Sequence, residues 1–108
     1  MKNTIALSVL LMIALTAAAV AQNAPAAKDL FASKCAICHG PDGSAQTTMG
    51  KNLKIRDFHS GDVQKQSDAD LKAAITKGKG KMPAFEGKLT GEQIDQLVGY
   101  LREIGKQK

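Results

Sequence analysis

Three stretches of the chain carry apolar residues at helical spacing, and none shows the apolar–polar alternation that a half-buried strand requires. The last is the plainest. Ile94, Leu97, Val98, Leu101 and Ile104 fall on one face, Thr90-Gly91-Glu92-Gln93 reads as a capping box, and Gly105 is expected to close the helix. A second helix is predicted from Ser67-Asp68-Ala69-Asp70, with Asp70 in the place of the usual Glu or Gln, through Leu71, Ala74 and Ile75 to Gly78. The first starts just after Pro25 and places Leu30, Phe31, Cys35 and Cys38 on one stripe, until Gly40-Pro41-Asp42-Gly43 stops it. Residues 44–66 have little periodicity and read as a loop, with Leu53, Ile55 and Phe58 its inward-facing residues. There is no internal repeat. The pattern predicts an all-α fold of three to four helices.

The N-terminus is a different kind of pattern. Lys2, an apolar run over residues 5–15 and Ala19-Val20-Ala21 before Gln22 have the form of a secretory signal peptide over residues 1–21. Its rival is a retained anchor, because the run approaches the roughly 20 residues that cross a bilayer. The small, alanine-rich end favours cleavage, which leaves residues 22–108 as one exported, periplasmic domain. At roughly 87 residues such a domain is marginal by itself. Aromatic residues make up 4% of the chain and tryptophan is absent, so a cofactor, metal or disulfide is expected to supply buried surface.

The formal charge of +5 contains no run of five like residues. This excludes a nucleic-acid-binding tail and points to an acidic protein partner. Lys77, Lys79 and Lys81, with Gly78 and Gly80 between them, form a basic loop that is either a solvated surface or a docking rim.

The candidate chemistry lies in Cys35-Ala36-Ile37-Cys38-His39. C-x-x-C-H is the attachment sequence for haem c: the two thiols add across the vinyl groups and the adjacent imidazole coordinates the iron. On a helix, Cys35 and His39 are four residues apart and share one side. A disulfide across two residues would constrain little of the unfolded chain. A thioredoxin-like site needs a βαβ setting. A zinc site from Cys35, Cys38, His39 and His59 fits poorly, because adjacent Cys38 and His39 lack the usual spacing. Met82, with Pro83 behind it, is the favoured second axial ligand, since His/Met is a recognised c-type pairing. Met49, His59 and an open sixth position are the competing readings.

These residues resemble the class I cytochromes c, small bacterial and photosynthetic monohaem carriers of the c6 and c551 kind. The resemblance spans the domain and rests on Phe31 four residues before Cys35, the Cys35–His39 motif, Lys81-Met82-Pro83-Ala84-Phe85, and Tyr100-Leu101. It implies a small cytochrome c fold, helices wrapped around one covalent haem with the first and last crossing. It makes His39 the proximal and Met82 the distal ligand. Two positions depart from the family pattern. Ala27 stands where a glycine usually lets the terminal helices touch. Gly50-Lys51-Asn52-Leu53 replaces Gly-Pro-x-Leu, so the Lys51 carbonyl becomes the expected acceptor for His39 Nδ1. A haem with both axial positions filled by protein leaves no room for substrate. The chain is therefore read as a monomeric one-electron carrier and not an enzyme, meeting membranes only through redox complexes. The alternatives are a cytochrome subunit of a larger periplasmic dehydrogenase and a haem-based gas sensor.

Overall fold

Short polar side chains set where the helices begin. In the computed structural model, which describes residues 23–107, Thr47, Ser60, Ser67 and Thr90 are all extended, and each side-chain oxygen accepts the amide three residues on. The helices are α1 (Asn23–Lys34), α2 (Ala36–His39), α3 (Thr48–Asn52), α4 (Gly61–Gln64), α5 (Asp68–Lys77) and α6 (Gly91–Lys106). Among the described residues the only bridges between extended segments are the isolated pairs Lys79–Met82 and Glu86–Leu89, and the fold is all-α. The proposed signal peptide lies outside the described residues.

Helix α6 forms for the reasons its sequence gives. The Thr90 hydroxyl accepts from the Gln93 backbone amide at 3.1 Å, and the Gln93 side-chain Oε1 accepts from the Thr90 backbone amide at 2.9 Å, so two orphan donors are satisfied reciprocally. Ile94, Leu97, Val98, Leu101 and Ile104 are all buried, each worth about 1.5–3 kcal/mol when fully withdrawn from water. The helix runs to Lys106, past the expected stop at Gly105. Helix α5 starts and ends as expected, capped by Ser67 and followed by Gly78; only one half of its box forms, the Asp70 amide donating to the Ser67 hydroxyl at 3.0 Å.

The first helix differs at both ends from its sequence reading. It begins at Asn23 and takes Pro25 into its first turn, where a missing N–H costs nothing. At Cys35 the backbone leaves the helical region (φ −121°, ψ −34°) and α2 begins as a separate turn. Residues 44–66 are not one loop but two short helices, α3 and α4, joined by turns.

Helices α1 and α5 both pack against α6. Phe31, Leu97 and Ile104 are the most deeply buried large side chains. Phe31 lies edge-on to Phe58 (6.1 Å between centroids) and to Tyr100 (5.3 Å), each at 62°, the arrangement that ring quadrupoles favour. Ala27 is buried on α1, with 3% of its surface exposed, so this small residue lies within the packed core. An exposed Lys72–Asp95 pair at 2.8 Å spans α5 and α6 and adds little.

Replacing Thr90 by alanine removes one half of the α6 box and is expected to cost about 1 kcal/mol, read as a lower urea midpoint. Thr90→Ser keeps the hydroxyl and should leave the midpoint close to that of the parent.

Candidate functional site

The break at Cys35 delivers the motif to the interior. The Cys35 amide still donates to the Phe31 carbonyl at 2.9 Å, and the His39 amide to the Cys35 carbonyl at 3.0 Å, so α2 follows α1 as one further turn. Thr47 then locks α2 to α3. Its hydroxyl donates to the Cys38 carbonyl at 2.7 Å and accepts from the Gly50 amide at 2.8 Å.

Cys35, His39 and Met82 line one crevice with Phe31, Phe58, Leu71, Ala74, Ile75, Leu97 and Leu101. Two segments that are distant in sequence, the Cys35–His39 motif and the Met82 loop, thus supply the candidate attachment and ligating groups to a wall that is otherwise apolar. Cys38 is half-buried on α2 but is not among the lining residues. Met49 is exposed on α3, and His59 is turned to Asp57, its Nδ1 2.6 Å from Oδ1. Neither competing ligand lines the crevice. The Asp57 carboxyl is held below the ordinary carboxylate range by the His59 amide and then by the His59 ring. Of the three loop residues expected to face inward, Phe58 does so; Leu53 and Ile55 are half-buried away from the crevice lining.

Burial governs the titration of the polar atoms here. It pushes the Cys35 thiol up to about 11, helped by the neighbouring Cys38, so the thiol stays protonated at neutral pH. A thioredoxin-like cysteine requires the opposite shift. Burial lowers the His39 pKa, which keeps the imidazole neutral, the state that binds metal. Among the described residues no three His, Cys, Asp or Glu side chains gather around a common point. An apolar cleft lined by one free thiol, with the second free thiol beside it on α2, one neutral imidazole and one thioether fits a haem better than any hydrated metal ion.

One expected contact is missing. His39 Nδ1 is fully buried with no hydrogen-bond partner, while the Lys51 carbonyl accepts from the Lys54 amide at 3.3 Å. The ring is held instead by Phe58, stacked on it with centroids 4.6 Å apart and planes 22° apart. Nothing in the local sequence signals that stack, because the two residues are joined only through the fold.

Met82 is held by the backbone around it. Its amide donates to the Lys79 carbonyl at 3.0 Å and its carbonyl accepts from the Lys79 amide at 3.1 Å. The amides of Phe85 and Glu86 then return to the Ile75 and Thr76 carbonyls, each at 3.0 Å. Gly78 makes this turn possible. Its φ is +75°, and a Cβ there would lie 2.6 Å from the Met82 carbonyl oxygen.

Comparison with known proteins agrees with this architecture. The family described as cytochrome c oxidase, cbb3-type, subunit III matches residues 22–101. A cytochrome c6 of Rippkaea orientalis is 38% identical over 92 residues, 81% of this chain and 76% of that protein. A cytochrome c6 of Thermosynechococcus vestitus is 31% identical over 96 residues, 89% and 83% of the two chains. The solved KustC0563 c-type cytochrome superposes with a TM-score of 0.69 at 34% identity, covering 74% of this chain and 98% of its own.

Gly78→Ala is expected to destabilise the protein by more than about 1 kcal/mol, since the native φ excludes a side chain. Hydrogen exchange at the Met82 amide should accelerate, while amides in the middle of α6 keep their protection.

Proposed function

The chain belongs to the class I c-type cytochromes, and from that premise we propose that it is a soluble, exported one-electron carrier whose haem is ligated by His39 and Met82. Membership makes it an electron-carrying protein with covalently attached haem c, not an enzyme. The observation that carries the finer reading is the convergence of Cys35, His39 and Met82 on one apolar crevice.

Bound haem supplies a one-electron Fe(III)/Fe(II) couple. The chain's residues determine how that couple behaves. Cys35 and Cys38 fasten it by thioethers. His39 and Met82 would hold the iron between them and so deny it to substrates. A thioether favours the reduced state over a second imidazole, and the apolar wall disfavours the extra charge of the oxidised one; both raise the potential. A gas sensor would need Met82 to leave readily, and the paired backbone bonds between Lys79 and Met82 oppose that.

Lys77, Lys79 and Lys81 are exposed on and beside the Met82 loop. They are the docking rim of this reading, steering an acidic redox partner into a brief encounter. Transient electron-transfer interfaces are small, which fits a monomer: the large hydrophobic side chains exposed among the described residues are Ile37 and Met49. Export rests on the signal-like residues 1–21, whose removal leaves residues 22–108. No described helix is long and apolar enough to cross a membrane. The matched oxidase-subunit family supports a second reading, a relay subunit within a larger complex. Co-purification of a stable partner would favour it.

Met82→Ala is expected to abolish the red charge-transfer band of sulfur-ligated ferric haem, with Met49→Ala leaving it intact; the reverse would move the ligand to Met49. Reversing charge with Lys79→Glu and Lys81→Glu should slow reduction by an anionic small-molecule donor several-fold at low salt and leave a neutral donor unaffected. The difference should vanish near 1 M salt, where the Debye length is about 3 Å.

A further inference from the structure

Gly105 occupies a place where a glycine needs a reason. It lies inside α6, one residue before its end, and glycine weakens a helix relative to alanine. No left-handed backbone demands it, since Gly105 is absent from the glycines with positive φ. What demands it is Gln64. A Cβ at residue 105 would lie 2.3 Å from Gln64 Cδ and 2.4 Å from Nε2, so the bare helix surface is a seat for that amide.

The seated amide is bonded on every side. Its Nε2 donates to the Phe58 carbonyl at 2.6 Å and to the Leu101 carbonyl at 3.1 Å. Its Oε1 accepts from Arg102 Nη1 at 3.3 Å, and the same nitrogen donates to the Gln64 carbonyl at 2.8 Å. The guanidinium also bonds the Gln66 carbonyl and, through Nε at 2.9 Å, Asp68 Oδ1. Arginine only donates, so Oε1 must face it and the NH2 group must face the two carbonyls. The amide has one orientation.

Phe58 is what this clamp holds, and Phe58 is what His39 stacks on. A ligating histidine is ordinarily oriented by a hydrogen bond from its other ring nitrogen, but His39 Nδ1 has no such partner. The aromatic stack takes over that task. We propose that Gln64, seated on Gly105 and oriented by Arg102, is the positioning residue for the proximal imidazole, acting through the Phe58 carbonyl. The inference rests on the reading of His39 as iron ligand.

The test uses the exported, haem-loaded protein. Gln64→Met keeps the length of the side chain and removes its donors. Gly105→Ala leaves Gln64 in the sequence and pushes its amide off the seat, so it carries the test alone if the first variant does not fold. Asp68→Ala takes one partner from Arg102 and no bond from Gln64. Both seat variants should shift the paramagnetic proton resonances of the His39 ring and lower the reduction potential, because a loosened Phe58 admits water beside the imidazole. Gly105→Ala should add nothing further in a Gln64→Met background, and Asp68→Ala should move neither readout. A fall in unfolding midpoint with unmoved resonances and potential would assign Gln64 a purely structural role and overturn the inference alone. Absence of axial-imidazole resonances in the parent protein would overturn the ligand reading and the inference together.

Discussion

Everything in this molecule rests on the contact between the apolar face of α6 and Phe31 of α1. Leu97 and Leu101 from one side and Phe31 from the other are at once the centre of the packed interior and the floor of the crevice. Phe31 is also the hinge between regions, edge-on to Phe58 in the central segment and to Tyr100 on α6. Helix α5 completes the wall by packing its Leu71 and Ile75 against the same α6. A group bound there inherits its surroundings from this helix packing, since the short loops alone could not exclude water from it.

Position within the crevice is then set by backbone bonds more than by side chains. The carbonyl of Cys38 is tied to Thr47, the amide and carbonyl of Met82 to Lys79, and the chain after Met82 to the end of α5. These ties use backbone groups and the Thr47 hydroxyl, and they leave the His39 and Met82 side chains on the crevice wall. This suits an electron carrier, whose metal should change little in geometry between its two charge states. Ligands held by rigid backbone resist the rearrangement that a change of charge invites.

The parts legible in the sequence were those whose cause is local. The caps of α5 and α6 lie within three residues of the groups they satisfy, and the stripe of α6 repeats at the helical period, so both helices could be placed almost to the residue. Gly78 was legible for the same reason. The break at Cys35 was not, because the bond that ties α2 down, from the Thr47 hydroxyl to the Cys38 carbonyl, spans nine residues. Gly105 read as a helix stop because glycine there usually is one; its reason is Gln64, reached only through the tertiary fold. The family pattern puts a partner for His39 at the Lys51 carbonyl. The ring lies instead in a stack with Phe58 that no spacing rule describes.

The composition of the core ties the stability of the domain to its crevice. Of the buried cluster, Phe31, Phe58, Leu71, Ile75, Leu97 and Leu101 all line the crevice. The crevice and the hydrophobic interior therefore share these six side chains, and the crevice is not a pocket added to a finished core. A chain with so few aromatic residues gains its missing buried surface when a flat apolar macrocycle lies among them. The same burial disfavours the more highly charged oxidised iron. Side chains that hold this domain folded thus also wall the crevice, and a substitution among them must be read both in stability and in the properties of the crevice.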